Sequence, residues 1–268
     1  MKMYGQPDYS DISTIDVKRD GRILYLTLNR PEKLNAVNGD MHHDLSVVFD
    51  QIARDENVDV VILTGAGRAF CSGGQMDWVR AFPKGRAADP IVYEARKIIQ
   101  DLLNLPQPII AAVNGVSAGL GTSIALCCDM VICGETSRIG DPHVKIGLVA
   151  GDGGALIWPL LVGPIRAKQY LMTGELLSAA EAERIGLVGK VVPDADLMDE
   201  ARDFAEILLK GSQPAIRGSK QAVNQLIRHL AEVTFDYSLL SEKATFGSHD
   251  VEEGTRAVEE KRQPTFKD

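Results

Sequence analysis

The feature that most constrains the fold is a pair of glycine-rich turns, each following a short apolar run typical of a buried strand. The first turn, Ala69–Gly74 (AFCSGG), comes after the run Val58–Thr64, and the second, Ser117–Gly121 (SAGLG), comes after Ile109–Val113. Glycine lets a backbone pass close to a ligand, and the amides of a helix's first turn lack partners within the helix. The turns therefore predict backbone N–H groups that bind an anion, or an oxygen that becomes anionic during reaction.

The order of apolar patterns predicts an α/β protein whose C-terminal part is helical. Strand-like runs alternate with helical patterns up to a last strand at Val188–Val192, and from Leu197 onward the spacing is helical throughout. We therefore predict a core over residues 1–196 and a helical segment over residues 197–268. Between the turns, Met76–Pro90 mixes glycine, proline and charges, which predicts a mobile surface loop. The helices predicted in the C-terminal segment are Leu197–Leu209, Pro214–Glu232, Phe235–Gly247 and Val251–Glu260.

Composition excludes several classes of function. The 268 residues carry a formal net charge of −8, which disfavours nucleic acid or an anionic membrane as the main partner. The four cysteines show no spacing typical of zinc ligands, so we expect core thiols, a reducing cytoplasm and no metal. The N-terminus has no apolar stretch typical of a signal peptide, and no 18-residue apolar span occurs, so we expect no membrane association.

Four segments resemble the crotonase (enoyl-CoA hydratase/isomerase) superfamily. They are Arg30–Ala36 (RPEKLNA), Ala69–Gly74, Val113–Gly121 (VNGVSAGLG) and Glu253–Pro264 (EGTRAVEEKRQP), and the likeness extends over nearly the whole chain. This resemblance implies a crotonase-like spiral core of ββα units followed by a C-terminal helical trimerisation segment. It also implies a homotrimer, often paired into a dimer of trimers.

The same resemblance implies an acyl-CoA thioester substrate and no cofactor apart from the coenzyme A that the substrate carries. By position, the thioester oxygen would be bound by the backbone N–H groups of Gly74 and Leu120. Lys261 would reach a nucleotide phosphate, although solvated surface charge is the alternative for both Lys33 and Lys261. The residues expected along the CoA arm are Lys33, Asn35, Ala36, Ala69 and Ser72.

The catalytic residues depart from the hydratase pattern. Ser123 and His143 stand where enoyl-CoA hydratases carry two glutamates, so the resemblance does not predict a two-glutamate hydration. Asp152 follows His143 by nine residues across a glycine-bearing loop, and an imidazole beside a carboxylate makes an acid/base pair. The alternative for Asp152 is a cap on the helix that follows. Asp141 is interpreted as a turn carboxylate, and Ser123 as a packing residue.

This His–Asp spacing also resembles the crotonase-fold β-diketone hydrolases, which cleave a C–C bond by adding water to a ketone. Their further pocket histidine and glutamate would correspond to His43 and Glu242, whereas their histidine in the second turn is Leu120 here. His42 and His43 have polar neighbours, so we expect at least one of them at the surface.

Three functions remain open on the sequence alone. The first is a hydratase- or isomerase-like lyase in which His143 and Asp152 transfer protons, the second is a C–C bond hydrolase, and the third is an acyl-CoA-binding protein that has lost its chemistry. Some members of the superfamily bind RNA through a lysine-rich helix. Here the helix Gly39–Arg54 carries one arginine and three aspartates, which argues against that role.

Overall fold

The computed structural model describes residues 7–267. In chain order its elements are β1 (Ile15–Asp20), β2 (Ile23–Leu28), α1 (Gly39–Ala53), β3 (Val60–Gly65), β4 (Ala69–Cys71), α2 (Met76–Arg80), α3 (Asp89–Asn104), β5 (Ile109–Val113), β6 (Val116–Ala118), α4 (Leu120–Leu126), β7 (Met130–Gly134), β8 (Arg138–Gly140), α5 (Gly154–Thr173), β9 (Leu176–Ser178), α6 (Ala179–Arg184), β10 (Lys190–Val192), α7 (Leu197–Leu209), α8 (Gln213–Thr245) and α9 (His249–Glu259).

The strands form two sheets, and from β3 to β8 the chain alternates between them. The larger sheet runs β1-β2-β3-β5-β7-β10 and is parallel from β2 onward, and the smaller one runs β4-β6-β8-β9. Each of β3, β5 and β7 is followed by a short strand in the smaller sheet, and then by helical structure. This arrangement confirms the predicted α/β spiral of ββα units with a helical C-terminal segment.

The central strands are continuous apolar runs because both of their faces are covered. Every residue of β3 and of β5 is buried, as expected for parallel strands between layers. Helix α1 begins at Asn38, whose side chain accepts a hydrogen bond from the Met41 amide at 3.0 Å. Its apolar stripe, which includes Leu45 and Phe49, then packs into the core. The four cysteines are buried thiols.

The prediction of a surface loop over Met76–Pro90 is wrong for the first half of that segment. Helix α2 occupies Met76–Arg80, and a single 3-10 turn follows at Gly85–Ala88. Val79 and Phe82 are buried, and the Phe82 ring stacks 4.7 Å from the ring of Phe246. The segment is ordered by this apolar packing, which its glycine- and charge-rich composition obscured.

The C-terminal segment is helical, as predicted, but its longest helix is continuous. Helix α8 spans 33 residues and joins the two helices expected over 214–247. Buried Phe235 and Leu239 anchor it across the expected break. Helix α5 is interrupted by non-helical backbone at Gly163 (φ 78°, ψ 159°). Within residues 7–267 no helix combines the length and apolar character needed to cross a membrane.

Candidate active site

The two glycine turns lie side by side because the strands that lead into them are neighbours. β4 and β6 pair in parallel, so the turns that follow Cys71 and Ala118 leave the same edge of the smaller sheet. Gly73 has φ +90° and Gly119 has φ +53°. A Cβ atom on Gly73 would lie 3.2 Å from the Ala118 carbonyl oxygen, and one on Gly119 would lie 3.2 Å from Cε1 of His143. These approaches explain why glycine is required at both positions.

The two turns contribute one residue each to the lining of one cavity, and the backbone amides of both residues lack a partner in the described part of the chain. Val37 bridges the first turn, donating to the Gly73 carbonyl at 2.8 Å and accepting from Gln75 at 2.8 Å. This pairing leaves the intervening Gly74 N–H without an acceptor among residues 7–267. The N–H of Leu120, the first residue of α4, likewise has none there. Both residues line a cavity of about 50 Å³. Its other lining residues are Val37, His42, Trp78, Val79, Phe82, Ile91, Val92, Ala95, His143, Ile146, Leu148, Asp152, Leu239, Glu242 and Phe246.

His143 is held between two carboxylates at this cavity. Its Nδ1 is 2.5 Å from Oδ1 of Asp141, whose side chain is fully buried, so Nδ1–H donates to that carboxylate. On the opposite edge of the ring, Nε2 lies 3.4 Å from Oδ2 of Asp152. The other Asp152 oxygen accepts a hydrogen bond from the Ser123 hydroxyl at 3.2 Å. The structure therefore brings His143 and Asp152 together, and Ser123 positions Asp152 as well as packing.

Asp152 does not cap helix α5. The residue that precedes this helix is Gly153, and no side chain caps its N-terminus. Asp152 instead points its carboxylate towards His143 and the cavity. The helix-capping alternative is therefore wrong.

Asp141 is the site residue that the sequence interpretation missed. It does act as a turn carboxylate, since its Oδ1 also accepts from the His143 backbone N–H at 3.3 Å. The shorter bond to the ring is the one that fixes the histidine tautomer. Gly154 leaves the necessary room, because a Cβ there would collide with Oδ2 of Asp141. The spacing of two residues between Asp141 and His143 was the available signal.

Burial and charge set the protonation of the site. Burial alone would lower the pKa of His143, but the adjacent carboxylates of Asp141 and Asp152 outweigh it and raise the pKa well above its ordinary value. Burial raises the pKa of Asp152, and the His143 cation opposes that shift. Burial also raises the pKa of Glu242 well above its usual range, with the charge of Asp152 adding to the effect. These shifts favour the imidazolium form of His143 and the protonated form of the Glu242 carboxyl group.

The two candidate pocket residues have different locations. Glu242, on α8, is buried and lines the cavity, as the resemblance suggested. His43 does not line the cavity, and its side chain is 62% exposed. The neighbouring His42 is buried and lines the cavity instead. Helical periodicity carried the signal, because His42 lies three residues before the buried Leu45 and His43 does not share that face.

The residues expected along the CoA arm fall into two groups. Lys33, at the end of a short 3-10 turn, and Lys261 are exposed. Asn35 is completely buried, and its amide donates to the carbonyl oxygens of Ala66 (2.9 Å) and Ala69 (2.7 Å). Its side chain therefore ties the loop before α1 to the first glycine turn. Ala36 and Ala69 are buried beside it, and Ser72 is half-buried.

Asp141, His143 and Asp152 are also grouped closely enough to ligate a metal ion, with candidate ligand atoms within 4.8 Å of one another. The two carboxylates, however, face opposite nitrogens of one imidazole ring. An ion bound at either nitrogen would displace a carboxylate contact already made. The geometry favours a chain of proton donors and acceptors over a chelate.

Comparison with known proteins agrees with the fold and the glycine turns. The enoyl-CoA hydratase/isomerase family profile matches residues 18–268. A solved enoyl-CoA hydratase/isomerase from Mycobacterium paratuberculosis superposes with a TM-score of 0.87 at 34% identity, covering 91% of this chain and 97% of that one. The chain belongs to the enoyl-CoA hydratase/isomerase family, within the crotonase superfamily.

Named relatives catalyse more than one reaction. The short-chain-enoyl-CoA hydratase of Clostridium acetobutylicum is 34% identical over 260 residues, which is 94% of this chain and 97% of the relative. The 1,2-epoxyphenylacetyl-CoA isomerase of Escherichia coli is also 34% identical, over 91% of this chain and 94% of the relative. Equal similarity to a hydratase and an isomerase supports a crotonase-superfamily enzyme without selecting one reaction.

Proposed function

We propose that this protein is an enzyme that binds an acyl-CoA thioester and stabilises an enolate between the backbone N–H groups of Gly74 and Leu120. The observation that supports the proposal is that Gly74 and Leu120 line the same cavity as His143 and Asp152, and that neither backbone N–H has an acceptor among residues 7–267. Fixed amides aimed at a developing oxyanion need no reorganisation during reaction, and loss of one such donor typically costs about 3 kcal/mol of barrier.

His143 and Asp152 act as the acid/base pair in place of the usual glutamates. The Asp152 carboxylate accepts a proton from the carbon next to the thioester, and the C–H electron pair becomes the enolate. The His143 imidazolium stabilises the carboxylate beforehand at 3.4 Å, and the Ser123 hydroxyl holds its second oxygen. Return of the proton to a different carbon completes an isomerisation. With water added to the double bond, the same pair serves a hydration.

A second candidate is hydrolysis of a C–C bond in a β-diketone. The observation that favours it is Glu242, a further titratable group on the same cavity, whose burial raises the pKa of its carboxyl group and favours the protonated form. In this reaction the Asp152–His143 pair deprotonates a water molecule that attacks the ketone carbon. The C–C bond then breaks, its electron pair forms an enolate held by the two amides, and a carboxyl group protonates the enolate carbon.

One set of assays tests the enzyme proposal and separates the two reactions. Purified protein is supplied with crotonyl-CoA, longer enoyl-CoAs and a bicyclic β-diketone, and the products are identified by mass spectrometry. Turnover is expected to disappear in His143→Ala while acyl-CoA binding persists. The control His249→Ala alters a histidine that is 59% exposed and outside the cavity lining, and it should retain turnover. Undiminished turnover in His143→Ala would refute the assignment, and binding without any turnover in the unaltered protein would favour a binding protein.

We place the CoA arm along Lys33, Ala36 and Ser72, with Lys261 at a nucleotide phosphate. Both lysines are exposed and available for a phosphate group. Replacing either lysine by methionine should raise KM and leave kcat nearly unchanged, since the change is remote from the reacting atoms. A buried, reduced set of thiols supports a cytoplasmic location.

A homotrimer, or a dimer of such trimers, is the proposed assembly. Along α8 a row of apolar side chains is exposed, with separations of three, four or seven residues that place them on one helical face. The covering partner that we propose is a second copy of this chain. Light scattering should give a multiple of the 29.1 kDa chain mass, and Leu226→Lys should lower it. The residues of this face are Val223, Leu226, Val233, Tyr237 and Leu240.

A further inference from the structure

A second arrangement of titratable groups begins at His42, which lines the same cavity as the catalytic pair. His42 on α1 is buried, and its Nδ1 lies 2.8 Å from Oε2 of Glu94 on α3. The other Glu94 oxygen, Oε1, lies 2.9 Å from Nδ1 of His43. The carboxylate therefore joins two histidines that differ greatly in exposure, 3% for the His42 side chain and 62% for that of His43.

This chain of contacts runs from the cavity to solvent. His42 lines the cavity, and its ring packs 5.3 Å from that of Trp78. Its Nε2 makes no hydrogen bond within residues 7–267. It is also not one of the fully buried polar atoms there that lack a hydrogen-bond partner. Since Nδ1 is bound by Glu94, Nε2 is the nitrogen left for a water molecule or substrate in the cavity. The charge of His42 also reaches Asp152, where it favours the ionised carboxylate.

We infer that His42, Glu94 and His43 form a proton relay that exchanges protons between the cavity and solvent, a role that rests on the proposed function. Exchange of a substrate proton with solvent, or its net gain or loss at carbon, needs a path for protons, because the cavity is small and mostly lined by apolar side chains. The exposed histidine is suited to the outer position because imidazole gains and loses protons near neutral pH.

The relay moves one proton and no electrons. His42 accepts a proton from cavity water at Nε2 while its Nδ1 proton passes to Oε2 of Glu94. Rotation of the Glu94 carboxyl group presents that proton to Nδ1 of His43, which releases its Nε2 proton to a base in solvent. The local charges favour the second transfer, from Glu94 to His43, and make Glu94 a transient carrier. Hydrogen bonding to His42 keeps the pKa of Glu94 low, and hydrogen bonding to Glu94, with a smaller contribution from the Asp44 charge, raises the pKa of His43.

Steady-state kinetics of His43→Gln at low and high buffer concentration test the relay. His43→Gln removes the outer group without entering the cavity. At low buffer kcat should fall by about 10-fold, less than the 10²–10⁴-fold typical of a group that acts directly on substrate, and kcat/KM should change less. A small imidazole buffer should restore kcat, since a soluble base replaces the outer histidine. Exchange of the substrate α-proton with D₂O should slow in parallel.

The matched control is His249→Gln, which removes an exposed histidine beside a carboxylate, Asp250, away from the cavity. A kcat for His43→Gln equal to that of His249→Gln at low buffer would overturn the relay. So would a loss that imidazole fails to restore. If His143→Ala abolishes turnover while His43→Gln has no effect, the relay alone is wrong. If His143→Ala also has no effect, the proposed function itself is wrong.

Discussion

The hydrogen bond between Asp141 and His143 leads to a quantitative prediction for Asp141→Asn. The asparagine has nearly the volume of aspartate and retains an oxygen able to accept from Nδ1, so the change removes a charge while preserving the packing. The 2.5 Å contact and the complete burial of the Asp141 side chain mean that solvent cannot replace that charge. Gly154 should still accommodate the amide, which occupies the place of the carboxylate.

The expected magnitude follows from the loss of an opposite charge in direct contact. Such a charge shifts a pKa by about 1–3 units, and each unit corresponds to about 1.36 kcal/mol between the two protonation states. The pKa of His143 should therefore fall by this amount. With the imidazolium no longer stabilised by that charge, turnover should fall by about 10²–10⁴-fold, the range typical of acid/base groups.

The effect on folding has a defined pH dependence. Because the pKa of His143 is raised in the folded protein, its cation stabilises the fold fully below the ordinary value of 6.5, and this contribution is lost as the pH rises through the folded value. The difference in free energy of unfolding between the two proteins should be largest at pH 5–6.5. It should be on the order of 1.36 kcal/mol for each unit by which the His143 pKa falls. It should decrease at higher pH.

Nitrogen-15 NMR of the His143 ring, assigned with His143→Gln, measures the pKa directly, and pH profiles of kcat/KM report it in turnover. Asp44→Asn is the matched control. Asp44 is also buried, but it accepts from Ser13 and Thr14, with the shortest bond 2.7 Å from the Thr14 hydroxyl. An unchanged His143 pKa in Asp141→Asn would refute the reasoning, as would an equal change in Asp44→Asn.

Three further predictions concern other parts of the molecule. Glu242→Gln should unfold at a higher temperature than the unaltered protein at pH 8 and at a similar temperature at pH 4. The reason is that the raised pKa of the Glu242 carboxyl group makes the fold lose stability as the pH rises above the ordinary value of 4.5. Calorimetry at both pH values checks this, and equal melting temperatures at pH 8 would contradict it. Gly119→Ala should introduce about 1–3 kcal/mol of backbone strain at φ +53°, and the new methyl group should press on the His143 ring. Both the free energy of unfolding in urea and kcat/KM should therefore fall. Turnover near that of the unaltered protein would show that the turn can relax. Lys220→Met should lower the free energy of unfolding in urea by about 3 kcal/mol, because it leaves Asp129, paired at 2.7 Å, without its cation. The double variant with Asp129→Asn should recover part of that loss, and no recovery would mean that packing of the lysine stem dominates.

Local pattern predicted much of the fold. The runs Val60–Leu63 and Ile109–Val113, in β3 and β5, are apolar throughout because both faces of these strands are covered, and this character is visible in the sequence. The prediction of Met76–Pro90 as a surface loop failed because α2 is held by distant partners, such as Phe246 against Phe82. No short window around α2 contains those partners.

The sequence by itself determined the two glycine turns and the His143–Asp152 pairing, since backbone conformation and short loops depend on residues that are near one another in the chain. The tertiary structure decided that Asp141 holds the other nitrogen of His143, and it turned the helical pattern of α1 into the finding that His42 lines the cavity and His43 does not. Consecutive residues of a helix point about 100° apart, so the rotation at which α1 packs determines which imidazole is enclosed. That rotation is fixed by the contacts of the whole core.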